Sequence, residues 1–457
     1  MNQLDPSSTI CAPATAPGIG AISVIRVSGA EALNLVTAVF KGHKLNEVHS
    51  HTVHFGKITD GEKVIDEVLA TVFVAPASYT GEHTVEISCH GSTFIQQRIL
   101  ELLVRKGARM AQPGEFTLRA FLNKKLDLSQ AEAVADLISA DSEASLQTAL
   151  KQMRGGYSTF IQRMREELIG FASLIELELD FSEEDVEFAN RAQLLQLLHN
   201  VQQLIQSLID SFQYGNAIKN GVPTVIAGKP NAGKSTLLNS LLKEDRAIVS
   251  NIEGTTRDTI EERLVVDGLV FRLIDTAGIR EAESVIEAAG IERTLEKLKQ
   301  AEIILYLFDV NTTTPEILQA ELNALPTAKI LAIGNKIDLS TEKEVQEKWS
   351  AIQVPILFIS ANNEEHIGQL LTTLKNLVAT AEHAPNQVVI TNLRHYQALL
   401  NATASLQQVQ NALTSGISGE LVAFDIRKAI FHLGEITGEI TTDDLLESIF
   451  SKFCIGK

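Results

Sequence analysis

The sequence predicts a multidomain fold in three parts: an α+β domain at the N-terminus, a discontinuous all-α helical domain, and an α/β P-loop domain inserted into the helical one. Three observations predict it. Short β-rich runs fill the stretch from Ile22 to about Arg109, apolar stripes at helical spacing lie on both sides of the centre, and a Gly-rich phosphate-loop sequence separates them between a strand and a helix.

In the first part the strand-like runs are Ile22 to Val27, a pair around the Asp60-Gly61 turn, Val68 to Val74 and Thr84 to Ser88. One helix interrupts them. It carries Ile95, Ile99 and Leu102 on one face and stops at Gly107, a usual C-cap residue. After Pro113-Gly114 the pattern becomes helical, with Val134, Leu137 and Ile138, then Phe160, Met164 and Leu168, then a stripe of Leu194, Leu198, Val201, Ile205 and Leu208. Between Gly215 and Thr380 β-branched runs alternate with helical stretches: Thr224 to Ala227, Phe271 to Ile274, Ile303 to Phe308, Ile330 to Ile333 and Ile356 to Ile359. A parallel, doubly wound sheet is expected. Helical patterning returns beyond Pro385, through Leu421 to Leu433 and Asp443 to Phe450. The expected divisions are 1–118, 119–214, 215–380 and 381–457, the second and fourth being halves of one helical domain.

At 457 residues the chain is too long for one ordinary core. No run of about 18 apolar residues is present to span a bilayer, the N-terminus lacks a secretory signal, and Cys11, Cys89 and Cys454 are far apart. A cytoplasmic protein without membrane association is expected. With 57 acidic against 39 basic side chains the formal charge is −18, so any RNA contact must be local or supplied by a partner.

Gly228 to Ser235 matches G-x-x-x-x-G-K-[ST], follows the apolar run Thr224 to Ala227 and precedes the helical run Thr236 to Leu242. The backbone N–H groups of Asn231, Ala232 and Gly233 can curl around a β-phosphate. Lys234 then reaches the β- and γ-oxygens, and the Ser235 hydroxyl can ligate Mg²⁺. Asn335-Lys336-Ile337-Asp338 closes a later strand, where the Asp338 carboxylate can accept both N1–H and the exocyclic N2–H of guanine. Adenine offers neither. The Lys336 stem can lie across the ring, and Ser360-Ala361 after the next strand can present a backbone N–H to O6. Asp275-Thr276-Ala277-Gly278 puts Asp275 near Mg²⁺ and Gly278 near the γ-phosphate, while Gly254 to Asp258 offers a first switch with the Thr256 hydroxyl as a metal ligand. GTP with Mg²⁺ is the expected ligand.

One position departs from Ras-like enzymes, where a glutamine after this Asp-Thr-Ala-Gly run orients the attacking water. Here it is Ile279, which cannot order water, and Glu281, Glu283 and Glu287 are the nearest polar sources. Arg257 and Arg280 stay open as arginine fingers in cis. Asn231 offers an alternative, since its side-chain oxygen could hold a monovalent cation where a finger would place its charge.

Pro113-Gly114-Glu115-Phe116, Phe121-Leu122-Asn123, Lys125 to Leu128, the switch Gly254 to Asp258, Glu435 to Glu439 and the terminal Cys454-Ile455-Gly456-Lys457 together resemble the MnmE (TrmE) family of tRNA-modification GTPases. The resemblance implies a dimer-forming N-terminal domain that binds 5-formyltetrahydrofolate or a related reduced folate, with Arg26, Glu86, Lys125 and Lys457 lining that site. It also implies a homodimer working with an FAD-dependent MnmG-like protein, in a heterotetramer or larger complex, on the C5 position of the wobble uridine of certain tRNAs. The group added is of the aminomethyl type, carboxymethylaminomethyl included. G-domain dimerisation and K⁺ are implied to drive hydrolysis. By motif, Asn231, Ser250, Ile252 and Thr255 would hold K⁺, Ser235 and Thr256 would hold Mg²⁺, and Glu287 would position the water. The nucleotide site then extends over Thr236, Asn251 and Glu253. Ser250 stands where the family pattern has threonine, a change that a backbone oxygen survives.

Cys454 reads as a small packed residue, with a reactive thiol as the alternative. A regulatory or ribosome-assembly GTPase acting as a binding switch is the rival function. Such a protein would be expected to append an RNA-binding module, and none is legible here.

Overall fold

The structure is a computed structural model that describes residues 7–180, 191–243, 262–274, 298–326, 328–349, 355–378, 389–415 and 419–456. The chain forms two compact units, one of Met1–Ile138, Gln152–Ala189 and Asn411–Lys457, the other of Ser139–Lys151 and Asn190–Gln410.

The first unit is built on a seven-stranded sheet: β1 (Ile10–Pro13), β2 (Ile22–Ser28), β3 (Phe40–Lys41), β4 (Thr52–Asp60), β5 (Lys63–Phe73), β6 (Thr84–His90) and β7 (Arg109–Met110). Their order across the sheet is β3-β4-β5-β6-β2-β1-β7. Burial alternates as a half-covered sheet requires: Val68, Ala70 and Val72 of β5 face the core with Val85 and Ile87 of β6 and Ile25 and Val27 of β2. Helix Thr93–Arg105 covers that face through Ile99, Leu102 and Leu103, each burial contributing about 1.5–3 kcal/mol. It ends where expected, at a left-handed Gly107 with φ +111°.

In the same unit helices Ser158–Asp180 and Gly419–Thr437 pack along each other. The buried stripe of the first is Ile161, Met164, Leu168, Ala172 and Ile175. Phe160, expected on that face, is instead 52% exposed, because the three-and-four spacing from Met164 and Leu168 runs back to Ile161.

The second unit holds a six-stranded sheet of β8 (Val222–Ala227), β9 (Glu262–Val266), β10 (Leu269–Ile274), β11 (Ile303–Asp309), β12 (Lys329–Asn335) and β13 (Ile356–Phe358), ordered β13-β12-β11-β8-β10-β9. Five strands run parallel, as the alternating pattern predicts. The purely parallel expectation needs one correction: β9 lies antiparallel on the edge, joined to β10 through Asp267 and Gly268 at positive φ, 48° and 86°. A tight turn leaves no room for a crossover, so the pair must be antiparallel. Leu237, Leu238 and Leu241 pack one face of this sheet, and Leu318, Leu322 and Trp349 the other. Helix Arg191–Asp210 buries the expected Leu194, Leu198, Val201, Ile205 and Leu208.

Candidate functional site

The phosphate loop leaves β8 at Gly228 and enters helix Lys234–Lys243. Two of its glycines are fixed by their neighbours. At Gly228, φ is +141° and a Cβ would stand 2.0 Å from the Leu307 carbonyl oxygen; at Gly233, φ is +100° and a Cβ would stand 2.3 Å from Asn335 Nδ2. Between them Asn231 is held left-handed at φ +65°, a conformation open to asparagine. The Lys234 ammonium donates to the Gly228 and Lys229 carbonyls at 2.7 and 2.9 Å, so it is held over its own loop. Burial holds its pKa below the ordinary lysine value. Ser235 and Thr236 stand exposed in the first helical turn, where the backbone N–H groups and the helix dipole favour an anion.

Asn335, at the end of β12, is 3% exposed. Its Nδ2 donates to the Ala232 carbonyl at 2.8 Å and its Oδ1 accepts from the Ala361 N–H at 3.0 Å. Its side chain, which belongs to the expected nucleotide-binding set, ties the phosphate loop to the loop after β13. Ser240 repeats the tie from the helix, donating to the Ala361 carbonyl at 2.7 Å. Lys336 sits left-handed at φ +67°, with Nζ 2.9 Å from Asp309 Oδ2. Asp338 is exposed, and its Oδ1 accepts from the buried Ser360 hydroxyl at 2.7 Å. The structure thus brings Asn231, Ala232, Gly233, Lys234, Asn335, Lys336, Asp338, Ser360 and Ala361 together around consecutive strand ends. A cavity of about 260 Å³ lies alongside, lined among others by Lys229, Asn231, Tyr306, Asp309, Glu321 and Lys336.

Asp309, Tyr306 and Glu321 were missed by sequence reasoning. The Tyr306 hydroxyl donates to Glu321 Oε2 at 2.7 Å, and Lys229 pairs with the same carboxylate. Only Asp309 carries a sequence signal, as an acid closing an apolar strand beside the one that ends at Asn335. Ser250, Asn251, Ile252, Glu253, Gly254, Thr255, Thr256, Asp275, Thr276, Ala277, Gly278, Glu287 and Lys457 lie outside the described residues.

In the first unit Arg26 and Glu86 are cross-strand partners on β2 and β6 and form an ion pair at 2.8 Å. The guanidinium lies 5.3 Å from the Tyr79 ring centroid and 5.6 Å from that of Phe116, and it donates to the Gly456 carbonyl at 3.3 Å. Gly456 itself presses on Pro13, where a Cβ would meet the carbonyl oxygen at 2.0 Å. The C-terminal tail therefore reaches Arg26. Lys125 Nζ donates to the Pro76 carbonyl at 3.1 Å and is exposed; Pro76 lies a few residues before Tyr79, whose ring the Arg26 guanidinium faces. Cys454 is exposed rather than packed; Cys11 and Cys89 are buried, and burial pushes both thiols up to about 11. Behind this surface runs a buried charge network that sequence reasoning did not find. Glu115 accepts from Arg109 at 2.6 Å and from Arg119 at 3.0 Å, and Arg119 also holds Glu82 at 3.1 Å.

Two family models match this chain, the MnmE helical domain over residues 128–454 and the N-terminus of the GTP-binding protein TrmE over residues 9–125. The tRNA modification GTPase MnmE of Cytophaga hutchinsonii is 54% identical over 99% of this chain and 98% of its own length. That of Flavobacterium psychrophilum is 52% identical over 98% and 99%, and that of Bacteroides thetaiotaomicron 49% over the whole of both. With a guanine-nucleotide site of this geometry and such similarity from end to end, the chain belongs to the MnmE family of tRNA modification GTPases.

Proposed function

We propose that this GTPase works as a homodimer with an FAD-dependent MnmG-like partner, in a heterotetramer or larger complex, to add an aminomethyl-type group to C5 of the wobble uridine of certain tRNAs in the cytoplasm. The observation that carries the reading is likeness along the whole chain to tRNA modification GTPases, in a protein that also holds the Asn335 tie between phosphate loop and base loop.

In the nucleotide site Lys234 neutralises phosphate charge, Asp338 pairs with the two guanine donors, and Asn335 keeps the two subsites in register. Ser235 and Thr256 would hold Mg²⁺; Asn231, Ser250, Ile252 and Thr255 would hold K⁺; Glu287 would orient the water. The exposed Asn231, fixed left-handed at the loop, suits a cation ligand, and Ser235 in the first helical turn suits Mg²⁺. The ions would supply positive charge against the charge that develops on the phosphates, K⁺ in the place of an arginine finger.

In the first unit the Arg26–Glu86 pair beside Tyr79, with Lys125 and the C-terminal tail, supports a site for 5-formyltetrahydrofolate or a related reduced folate. Cations suit the glutamate tail and a carboxylate suits the pterin edge. The division of labour into 1–118, 119–214 with 381–457, and 215–380 accords with this scheme. Nucleoside analysis of tRNA from cells lacking the protein tests the reading. Loss of the C5-modified wobble uridine is expected, and an unchanged nucleoside profile would overturn it.

A further inference from the structure

We propose that Asp309 is a positioning residue for guanine recognition, acting by fixing Lys336 from both its side chain and its backbone.

Lys336 cannot hold its own conformation cheaply. Its φ of +67° places a long side chain in the left-handed region, which is strained for a residue with a Cβ. Contacts from outside must therefore fix it, and Asp309 organises the two that the neighbouring strand end supplies among the described residues. Its Oδ2 takes the Lys336 ammonium at 2.9 Å. Its Oδ1 accepts from the Asn311 backbone N–H at 2.9 Å and from Asn311 Nδ2 at 3.2 Å. That same Nδ2 donates at 3.1 Å to the Lys336 carbonyl. Asp309 thus grips the head of the lysine directly and its backbone through Asn311.

The grip is rigid because the strand ladder sets it. Asp309 and Asn335 are register partners on β11 and β12, and the Val310 N–H donates to the Asn335 carbonyl at 3.2 Å. The Asp309 side chain is 14% exposed against 34% for Lys336, so the pair is screened less than a surface ion pair of ordinary worth. Burial works to raise the carboxyl pKa, but the Lys336 ammonium and the Asn311 donors outweigh it and hold it below the ordinary value. The charge is present at neutral pH. Two residues after Lys336 comes Asp338, within the short 3-10 turn Ile337–Leu339, so freeing Lys336 loosens the base-pairing carboxylate as well.

This inference rests on the reading that Lys336 and Asp338 face guanine, and the experiment separates the two. Full-length Asp309→Asn, Lys336→Met and the double variant are compared with the unmodified chain for GDP and ADP affinity by calorimetry and for GTP turnover. Asp309→Asn, which keeps the shape and removes the charge, should weaken GDP by about tenfold or more, the scale of a lost hydrogen bond to a charged group. KM for GTP should rise by a similar factor with kcat unchanged, since the phosphate subsite is untouched. In the Lys336→Met background the same substitution should cost clearly less than it does alone, because the ammonium half of the grip is gone and only the backbone half through Asn311 remains. Additive losses in the double variant, a GDP affinity within about twofold of the unmodified chain, or a fall in kcat at constant KM would each overturn the role of Asp309. Should Asp309→Asn fail to fold, Asn311→Ala at an exposed position tests the backbone half of the grip by the same affinity measurement, and a GDP affinity unchanged there would overturn that half. An unmodified chain that binds ADP as tightly as GDP overturns the underlying reading and the inference together. A kept preference for GDP with an unaffected Asp309→Asn overturns the inference alone.

Discussion

Asn335 and Ala232 lie 103 positions apart in sequence, yet the asparagine amide donates to the alanine carbonyl at 2.8 Å, with its oxygen taken by the Ala361 N–H at 3.0 Å. One buried side chain holds the phosphate loop against the loop after β13. Asn335→Ala leaves that carbonyl and that N–H without this partner, at a cost of about 1–3 kcal/mol each where buried. GDP affinity should fall and the melting temperature should drop together, which calorimetry and thermal unfolding both read. Gly233→Ala should do the same, since its Cβ would stand 2.3 Å from Asn335 Nδ2.

Guanine selectivity should rest on Asp338, the exposed carboxylate whose Oδ1 is steadied by Ser360. Asp338→Asn replaces an acceptor with a donor on the side that meets N1–H and N2–H. GTP binding should weaken by about tenfold or more while xanthosine triphosphate gains. Competition between the two nucleotides checks it, and an unchanged ratio would count against the assignment.

The site was legible in sequence where a chemical constraint acts over a few consecutive residues. Gly228, Lys234 and Asp338 each announce themselves by type and spacing within a strand-loop-helix context, and the stripe from Leu194 to Leu208 is wholly buried as its period requires. What escaped was set by tertiary contact. The true task of Asn335 depends on where Ala232 and Ala361 arrive, and Asp309 matters only because β11 lies beside β12. The edge strand β9 carries no stronger signal than a loop, and its direction follows from the turn at Asp267 and Gly268. Phe160 was misplaced because a hydrophobic residue one step off the stripe reads as part of it.

The buried network around Glu115 predicts how the first unit meets acid. Burial alone would raise this carboxyl, but Arg109, the Gln112 N–H and Arg119 outweigh it and hold the pKa below the ordinary 4.5. A depressed carboxylate contributes stability that is present above its unfolded value and is lost as pH falls through the folded one. Unfolding of this unit should therefore become easier below about pH 4.5, and Glu115→Gln should remove that part of the pH dependence. At neutral pH the same substitution should cost about 3 kcal/mol, the low end for breaking a buried ion pair, because Glu82 still holds Arg119. Denaturant unfolding followed across pH checks both. Parallel curves for the two proteins would mean that Glu115 is not the titrating group.

Phosphoryl transfer needs an oriented nucleophile, and the position that carries the water-orienting glutamine in Ras-like enzymes is Ile279 here. An apolar side chain cannot supply that hydrogen bond. The acidic stretch that follows offers Glu281, Glu283 and Glu287, and the family resemblance singles out Glu287. If it orients the water, it acts only as the reaction proceeds and contributes nothing to holding ground-state GTP. Glu287→Ala should then leave GTP affinity nearly unchanged and lower kcat by about 10² or more. The measurement is single-turnover hydrolysis in saturating K⁺, where nucleotide release does not limit the rate. If an ion held through Asn231 stands in for a finger, replacing K⁺ with Na⁺ at matched ionic strength should depress the unmodified enzyme but should cost Glu287→Ala little further, since both would act on one step. Glu281→Ala and Glu283→Ala are the controls and should hydrolyse at close to the unmodified rate. Survival of hydrolysis in Glu287→Ala with collapse in either control would move the role to that neighbour.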